Sequence, residues 1–231
     1  MLDLDAPGIT ALVSARGWAQ LPLYDRIGAI YDFVRDEILF GYNRDDDLPA
    51  SRVLADGLGQ CNTKSTLLMA LLRAAGVPCR LHGFTIDKQL QYGAMTGLVY
   101  RRAPLHILHT WVEAAYEGQW VALEGVILDR LYLTALQRRY PDAKGAFTGY
   151  GVAVKDFSHP PVVWQGQSTY IQSEGIDSDL GLWDDPDSLL RAHRQELSPI
   201  KSFAYRHLGR HLMNYNVRRI RQTYRPELPE E

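Results

Sequence analysis

The chain has 231 residues, 46% of them hydrophobic, which is enough for one large globular core and too apolar for disorder to be the default. Its 25 Lys and Arg against 27 Asp and Glu leave a formal charge of −2, so no global field draws it to nucleic acid or an anionic membrane. The opening MLDLDAPGIT has neither a basic region nor an apolar stretch, and no later apolar run nears the roughly 18 residues of a spanning helix, so a cytoplasmic protein is expected. Two cysteines, Cys61 and Cys79, are too few for a disulfide framework, and each is judged by its surroundings.

Taken in chain order, Ile27, Ile30, Tyr31, Val34 and Ile38 fall at helical spacing, with Asp25, Arg26, Asp32, Arg35 and Asp36 opposite them. That pattern predicts an amphipathic helix over a core. After the polar loop of residues 43–47, Pro49 opens a short helix through Val53 and Leu54. Gly57 and Gly59 then lead to Cys61 and a run dense in helix formers, from Asn62 to Ala75, that Gly76 and Pro78 stop. A helix apolar on most sides belongs at the centre of a domain, so Cys61 lies where a loop enters a buried helix. Residues 80–86 read as a strand and 87–104 as an excursion or lid. The segments 109–116 and 119–124 flank Glu117-Gly118, a two-residue hairpin signal. A helix over residues 129–140 follows. Residues 1–145 are expected to form the core and 146–231 an irregular and helical extension packed on it.

Cys61 has surroundings suited to a nucleophile. A thiol reacts as thiolate, which the partial positive charge of a helix amino end or a nearby imidazolium favours. The two glycines leave the approach open, and helix-start N–H groups face a developing oxyanion. Cys79, at the start of a strand and without those features, is expected to be a buried, inert thiol.

The hairpin supplies candidate partners. If Tyr116 pairs with Gln119, paired positions sum to 235, and His109, Trp111, Glu113, Trp120, Ala122 and Glu124 share one face while Val112, Ala114, Val121 and Leu123 share the other. His109 and Glu124 are then diagonal neighbours about 7–8 Å apart at the backbone, a gap long side chains bridge. The carboxylate would hold the imidazole, and the imidazole would move the thiol's proton. A one-residue slip would separate them. His106 falls on the opposite face from His109, which speaks against a zinc site made with Cys61. His82, His159 and His193 are given no role.

The run from Gly59 to Ser65, continued by Leu71-Leu72-Arg73-Ala74-Ala75-Gly76-Val77-Pro78-Cys79-Arg80, resembles the nucleophile helix of transglutaminase-like cysteine enzymes. His109-Thr110-Trp111-Val112-Glu113 and the following Gly118 to Glu124 are similar to that family's histidine strand and acid-bearing strand, 124 − 109 = 15 residues apart. Three motifs in order are more specific than any one. The resemblance covers roughly the first 140 residues and implies a papain-like α+β fold, with a central helix carrying the cysteine on an antiparallel sheet. It also implies acyl-enzyme chemistry on an amide, with neither metal nor organic cofactor: Cys61 attacks, His109 is base then acid, and Glu124 orients it where the family usually has aspartate. Gln60 is a candidate oxyanion donor, and Trp111, Trp120 and residues 87–104 are expected to wall the cleft, which would take a peptide or small amide.

Residues 201–225 hold Lys201, Arg206, Arg210, Arg218, Arg219, Arg221 and Arg225 and no acid. Phe203, Leu208, Leu212 and Ile220 suggest a helix docked by an apolar stripe, its arginines outward and paired with acids such as Asp184, Asp185, Glu227, Glu230 and Glu231. Two alternatives stay open: an inactive binding module of the same fold, and a binder of acidic partners through this helix, with nucleic acid less favoured.

Overall fold

The structure, a computed structural model, describes residues 1–193 and 199–223. Three helices come first: α1 (Pro7–Ala15), α2 (Leu23–Asp36) and, after strand β1 (Leu39–Phe40), α3 (Ala50–Asp56), which Pro49 opens. Ile27, Ile30, Tyr31 and Val34 of α2 are buried, as their spacing requires. Strand β2 (Leu58–Gly59) pairs parallel with β1 and leads into α4 (Cys61–Ala74). Gln60 caps α4: its side chain accepts from the helix's first-turn N–H groups, while Thr63 Oγ1 accepts from Gln60 N. Gly76, at φ 78°, ends the helix in the left-handed region, with Val77 N reaching back to Leu72 O. Every residue from Cys61 to Leu72 is buried, because α1, α2 and α3 pack on one side of α4 and the sheet on the other.

The sheet holds β3 (Cys79–Asp87), β4 (His106–Tyr116), β5 (Gln119–Ala122) and β8 (Ile176–Trp183) in the order β5-β4-β3-β8, all antiparallel. Tyr116 pairs with Gln119 and Glu113 with Ala122, the expected register. Leu108, Val112, Ala114, Val121 and Leu123 accordingly join Leu67, Leu68, Leu71 and Leu72 in the main core. Phe84, Trp111 and Ala122 form a smaller cluster on the other face, against Tyr170 and Ile176. Truncating a core residue such as Leu68 to Ala is worth roughly 2–5 kcal/mol.

Residues 87–104 are less free than a lid. A 3-10 turn, Lys88–Gln91, and α5 (Gly97–Arg102) fill them, and Ala94 is fully buried. Tyr150 N donates to Tyr92 O and Gly151 N to Leu90 O, which pins the first half, while α5 buries no residue.

Beyond α6 (Arg130–Arg139) the chain contributes more strand than expected: β6 (Phe147–Gly149), β7 (Val152–Val154) and the fourth sheet strand β8. Helix α7 (Pro186–His193) follows, then α8 (Pro199–Ala204), a π-helical turn over Tyr205–Gly209 and α9 (Arg210–Gln222). The docking stripe of α9 is Met213, Val217 and Ile220, whereas Phe203, Leu208 and Leu212 are 65%, 62% and 51% exposed, contrary to the expected stripe. Polar anchors set this rotation. Asn214 accepts from Tyr42 N and donates to Tyr42 O, Asn216 donates to Gly93 O and Ala94 O, and Arg221 donates to Asp129 and Phe40 O. The arginines are thus not all outward, and the acids they meet are Asp45 (from Arg206) and Asp129 rather than Asp184 or Asp185. Arg225, Glu227, Glu230 and Glu231 lie outside the described residues, as does the side chain of Lys201.

Candidate active site

Cys61 occupies the first position of α4, where the N–H has no acceptor within the helix. The residue is 5% exposed and packs in a cluster with Phe40, Tyr42 and Ala94. The thiol donates to Gln60 Oε1 at 3.0 Å, and Asn62 Oδ1 and Leu108 O are more distant acceptors at 3.7 and 4.0 Å.

His109, on β4 opposite Phe84, is fully buried, as is Glu124, and the two meet at 2.8 Å between Nε2 and Oε1. The route differs from the expected diagonal between strands. β5 ends at Ala122, Leu123 N still donates to Val112 O, and Glu124 opens a 3-10 turn (Glu124–Val126). The second oxygen of Glu124 accepts from Ile171 N at 3.0 Å and Gln172 N at 3.1 Å, so the carboxylate is held by the histidine on one side and a distant loop on the other. Asp129, the other acid nearby in sequence, caps α6 through Tyr132 N and receives Phe40 N and Arg221 instead.

The charge state follows from these contacts. Burial pushes the His109 imidazolium down, but an ionised Cys61 and Glu124 outweigh that and raise its pKa to about 10, the value for the ion pair formed once the thiol proton is on the ring. With Nε2 donating to Glu124, Nδ1 is the nitrogen left for sulfur. Among the described residues Nδ1 has no aligned hydrogen-bond partner, since the thiol is turned onto Gln60.

The remaining predicted residues divide. Trp111 lies beside the histidine, ring centroids 6.2 Å apart, and stacks on Phe84 at 4.0 Å. Trp120 is not brought to the sulfur. It pairs with Ala115, 115 − 109 = 6 residues along β4 from His109 and so roughly 20 Å away, where it stacks under Arg80. Gln60 presents its oxygen, not its amide nitrogen, to the sulfur, because Nε2 is bound to Asp46 and Oε1 caps α4. It is thus not aimed as an oxyanion donor. His82, given no role, bridges Glu113 at 2.8 Å and Asp179 at 2.9 Å on the sheet's second face.

Sequence reasoning missed Asp46 and Asn62, whose side chains meet at 3.1 Å beside the sulfur, and Lys64. Asp46 sits in an ordinary-looking acidic loop. Lys64 is fully buried one turn into α4, and its Nζ donates to Arg35 O and Ile127 O. Burial lowers its pKa to about 7, with Asp129 and Asp36 opposing that shift. Its ammonium ties α2 to the turn after Glu124, so it braces the site without facing it.

Three comparisons place this arrangement. A Bacillus subtilis (strain 168) relative, "Uncharacterized protein YebA", is 27% identical over 112 residues, which are 44% of this chain and 15% of that protein. A solved structure named "a Putative Cysteine Protease from Cytophaga hutchinsonii" matches with a TM-score of 0.39 and 14% identity, covering 71% of this chain and 38% of the other. The chain thus spans well under half the length of either, and the assignment rests on the family match and the topology above. Residues 13–125 match the transglutaminase-like superfamily core. Over that segment, which supplies Cys61, His109 and Glu124, the chain is a transglutaminase-like core domain.

Proposed function

We propose that the chain is a cysteine acyltransferase or hydrolase acting on an amide, a peptide or isopeptide, through a thioester on Cys61. The observation that carries this reading is the buried His109–Glu124 bond at 2.8 Å, which commits Nε2 and leaves Nδ1 as the base beside a cysteine at a helix amino end. Nδ1 takes the thiol proton, and the sulfur attacks the amide carbonyl carbon. The oxyanion meets the Cys61 N–H. Imidazolium then gives its proton to the departing amine as the C–N bond breaks, leaving the thioester. Water or a second amine attacks that thioester, His109 takes the attacker's proton, and an acid or a new amide leaves with the sulfur free again. Glu124 fixes the tautomer and stabilises imidazolium throughout. Incubation with a mixed peptide and amine library, followed by intact-mass analysis, tests the reading. An acyl adduct on Cys61, lost in Cys61→Ala and His109→Ala, is the expected result, and no adduct with any member of the library counts against it.

A second reading, a binding module of the same fold without turnover, draws on the low exposure of Cys61 and on its thiol being turned from His109. It requires that Cys61 alkylate no faster near neutral pH than an ordinary buried thiol.

A further inference from the structure

Gln60 and Asn62, one on each side of Cys61, send their amide nitrogens to a single carboxylate. Gln60 Nε2 donates to Asp46 Oδ1 at 2.5 Å, and Asn62 Nδ2 donates to Asp46 Oδ2 at 3.1 Å. An ionised carboxylate only accepts, so both amides must turn their oxygens the other way. Independent donors agree with that orientation: Asn62 N holds Gln60 Oε1 at 2.9 Å, and Thr110 Oγ1 holds Asn62 Oδ1 at 3.2 Å. Both oxygens therefore face the sulfur, at 3.0 and 3.7 Å. An amide oxygen is the negative end of a dipole; it stabilises S–H and opposes S⁻.

We propose that Asp46 is a positioning residue which, through Gln60 and Asn62, holds Cys61 as a thiol turned away from His109 Nδ1. This rests on the reading of Cys61 as a nucleophile. For reaction the proton must leave Sγ for Nδ1, giving thiolate and imidazolium, and the two amide oxygens work against that transfer until the grip of Asp46 loosens. Burial and the neighbouring Asp47 and Asp45 raise the Asp46 pKa, while the hydrogen bonds from Asn62 and Gln60 favour its ionised form. The loop is also tethered from the far end of the chain, since Tyr205 Oη donates to Asn43 O at 3.0 Å and Arg206 pairs with Asp45 at 2.8 Å.

The test is the rate at which iodoacetamide modifies Cys61 in the full chain, resolved from Cys79 by peptide mass, between about pH 5 and pH 10. Asp46→Asn is expected to raise the rate at neutral pH about tenfold and to move the acid limb of the profile down by about one pH unit. Gln60→Ser keeps a hydroxyl to cap α4 but is too short to reach Asp46. It is expected to speed alkylation likewise, and Asp46→Asn on top of it should add less than about twofold. An unchanged or slower rate in Asp46→Asn, or full additivity of the two changes, overturns the proposal. If Asp46→Asn does not fold by circular dichroism, Gln60→Ser alone decides, and a rate no faster than wild type overturns it. His109→Ala separates the two levels. Should it leave the wild-type rate untouched, the nucleophile reading falls; should it slow the rate while Asp46→Asn changes nothing, only the role of Asp46 falls.

Discussion

Helix α4 has a cysteine at its amino end and another just past its carboxyl end, and the two are almost equally hidden: Cys61 is 5% exposed and Cys79 is 7%. Burial therefore does not distinguish them. Cys79 rests on hydrocarbon and on Met69 O at 3.7 Å, and burial pushes its thiol up to about 11 although Arg73 pulls the other way. Cys61 has a helix start beneath it, and His109 is an imidazole whose positive form a Cys61 thiolate and Glu124 favour against burial. On the proposed reading, what separates the two thiols is the partner, His109, whose carboxylate is held by a loop more than 40 residues further on, at Ile171 and Gln172.

The largest effect expected is the collapse of this contrast in His109→Ala. General acid and base catalysis is worth on the order of 10²–10⁴, so turnover should fall by that factor, and Cys61 should label as slowly as Cys79 in a timed alkylation read by peptide mass. If Cys61 keeps its wild-type rate in His109→Ala, the imidazole plays no part and the nucleophile reading falls. Glu124→Gln acts through the tautomer. Its amide must give an oxygen to Ile171 N and Gln172 N, so its NH₂ faces His109 Nε2, and the ring proton moves to Nδ1, where it blocks acceptance from the thiol. Turnover should drop nearly as far, with the fold retained. Glu124→Ala differs because it orphans three buried donors, which should cost roughly 2–4 kcal/mol in a denaturant melt.

Charge adds a pH signature. With Cys61 ionised, the folded pKa of His109 is raised from its ordinary 6.5 to about 10, so the stability the ion pair contributes is fully present below about 6.5 and is lost as pH rises through about 10. The general acid vanishes over the same range, so turnover should decline on the alkaline side near pH 10, not near neutrality. An alkaline limb centred near 7 would mean that Cys61 and Glu124 do not hold the imidazolium.

Much of this was legible in the sequence. The Glu117-Gly118 turn sets the pairing sum, and with it the faces of β4 and β5; the glycines before Cys61 and the Gly76-Val77-Pro78 stop bracket α4. What escaped depends on chain segments remote in sequence. Nothing near Asp46 signals that Gln60 and Asn62 converge on it from the start of α4, and nothing near Glu124 signals the two N–H groups from residues 171 and 172. The stripe of α9 was misjudged for a related reason. Leu208 and Leu212 look like docking residues by spacing, but Asn214, Asn216 and Arg221 find backbone and carboxylate partners only when the helix turns the other way. Periodicity reads the apolar share of docking and is blind to partners supplied by other elements.

The smallest effect sharpens the comparison from its inert side. Cys79→Ser replaces a thiol that donates to Met69 O by a hydroxyl that can donate to the same carbonyl, so the cost is that of burying a more polar group in the core, about 1–2 kcal/mol in a thermal or urea melt. Alkylation of Cys61 should stay within twofold of wild type, because the change lies at the opposite end of α4, 79 − 61 = 18 residues along the chain, and touches neither His109 nor Gln60. A larger change in the Cys61 rate would mean that α4 transmits strain from its carboxyl end to its start, and that the two thiols are not independent.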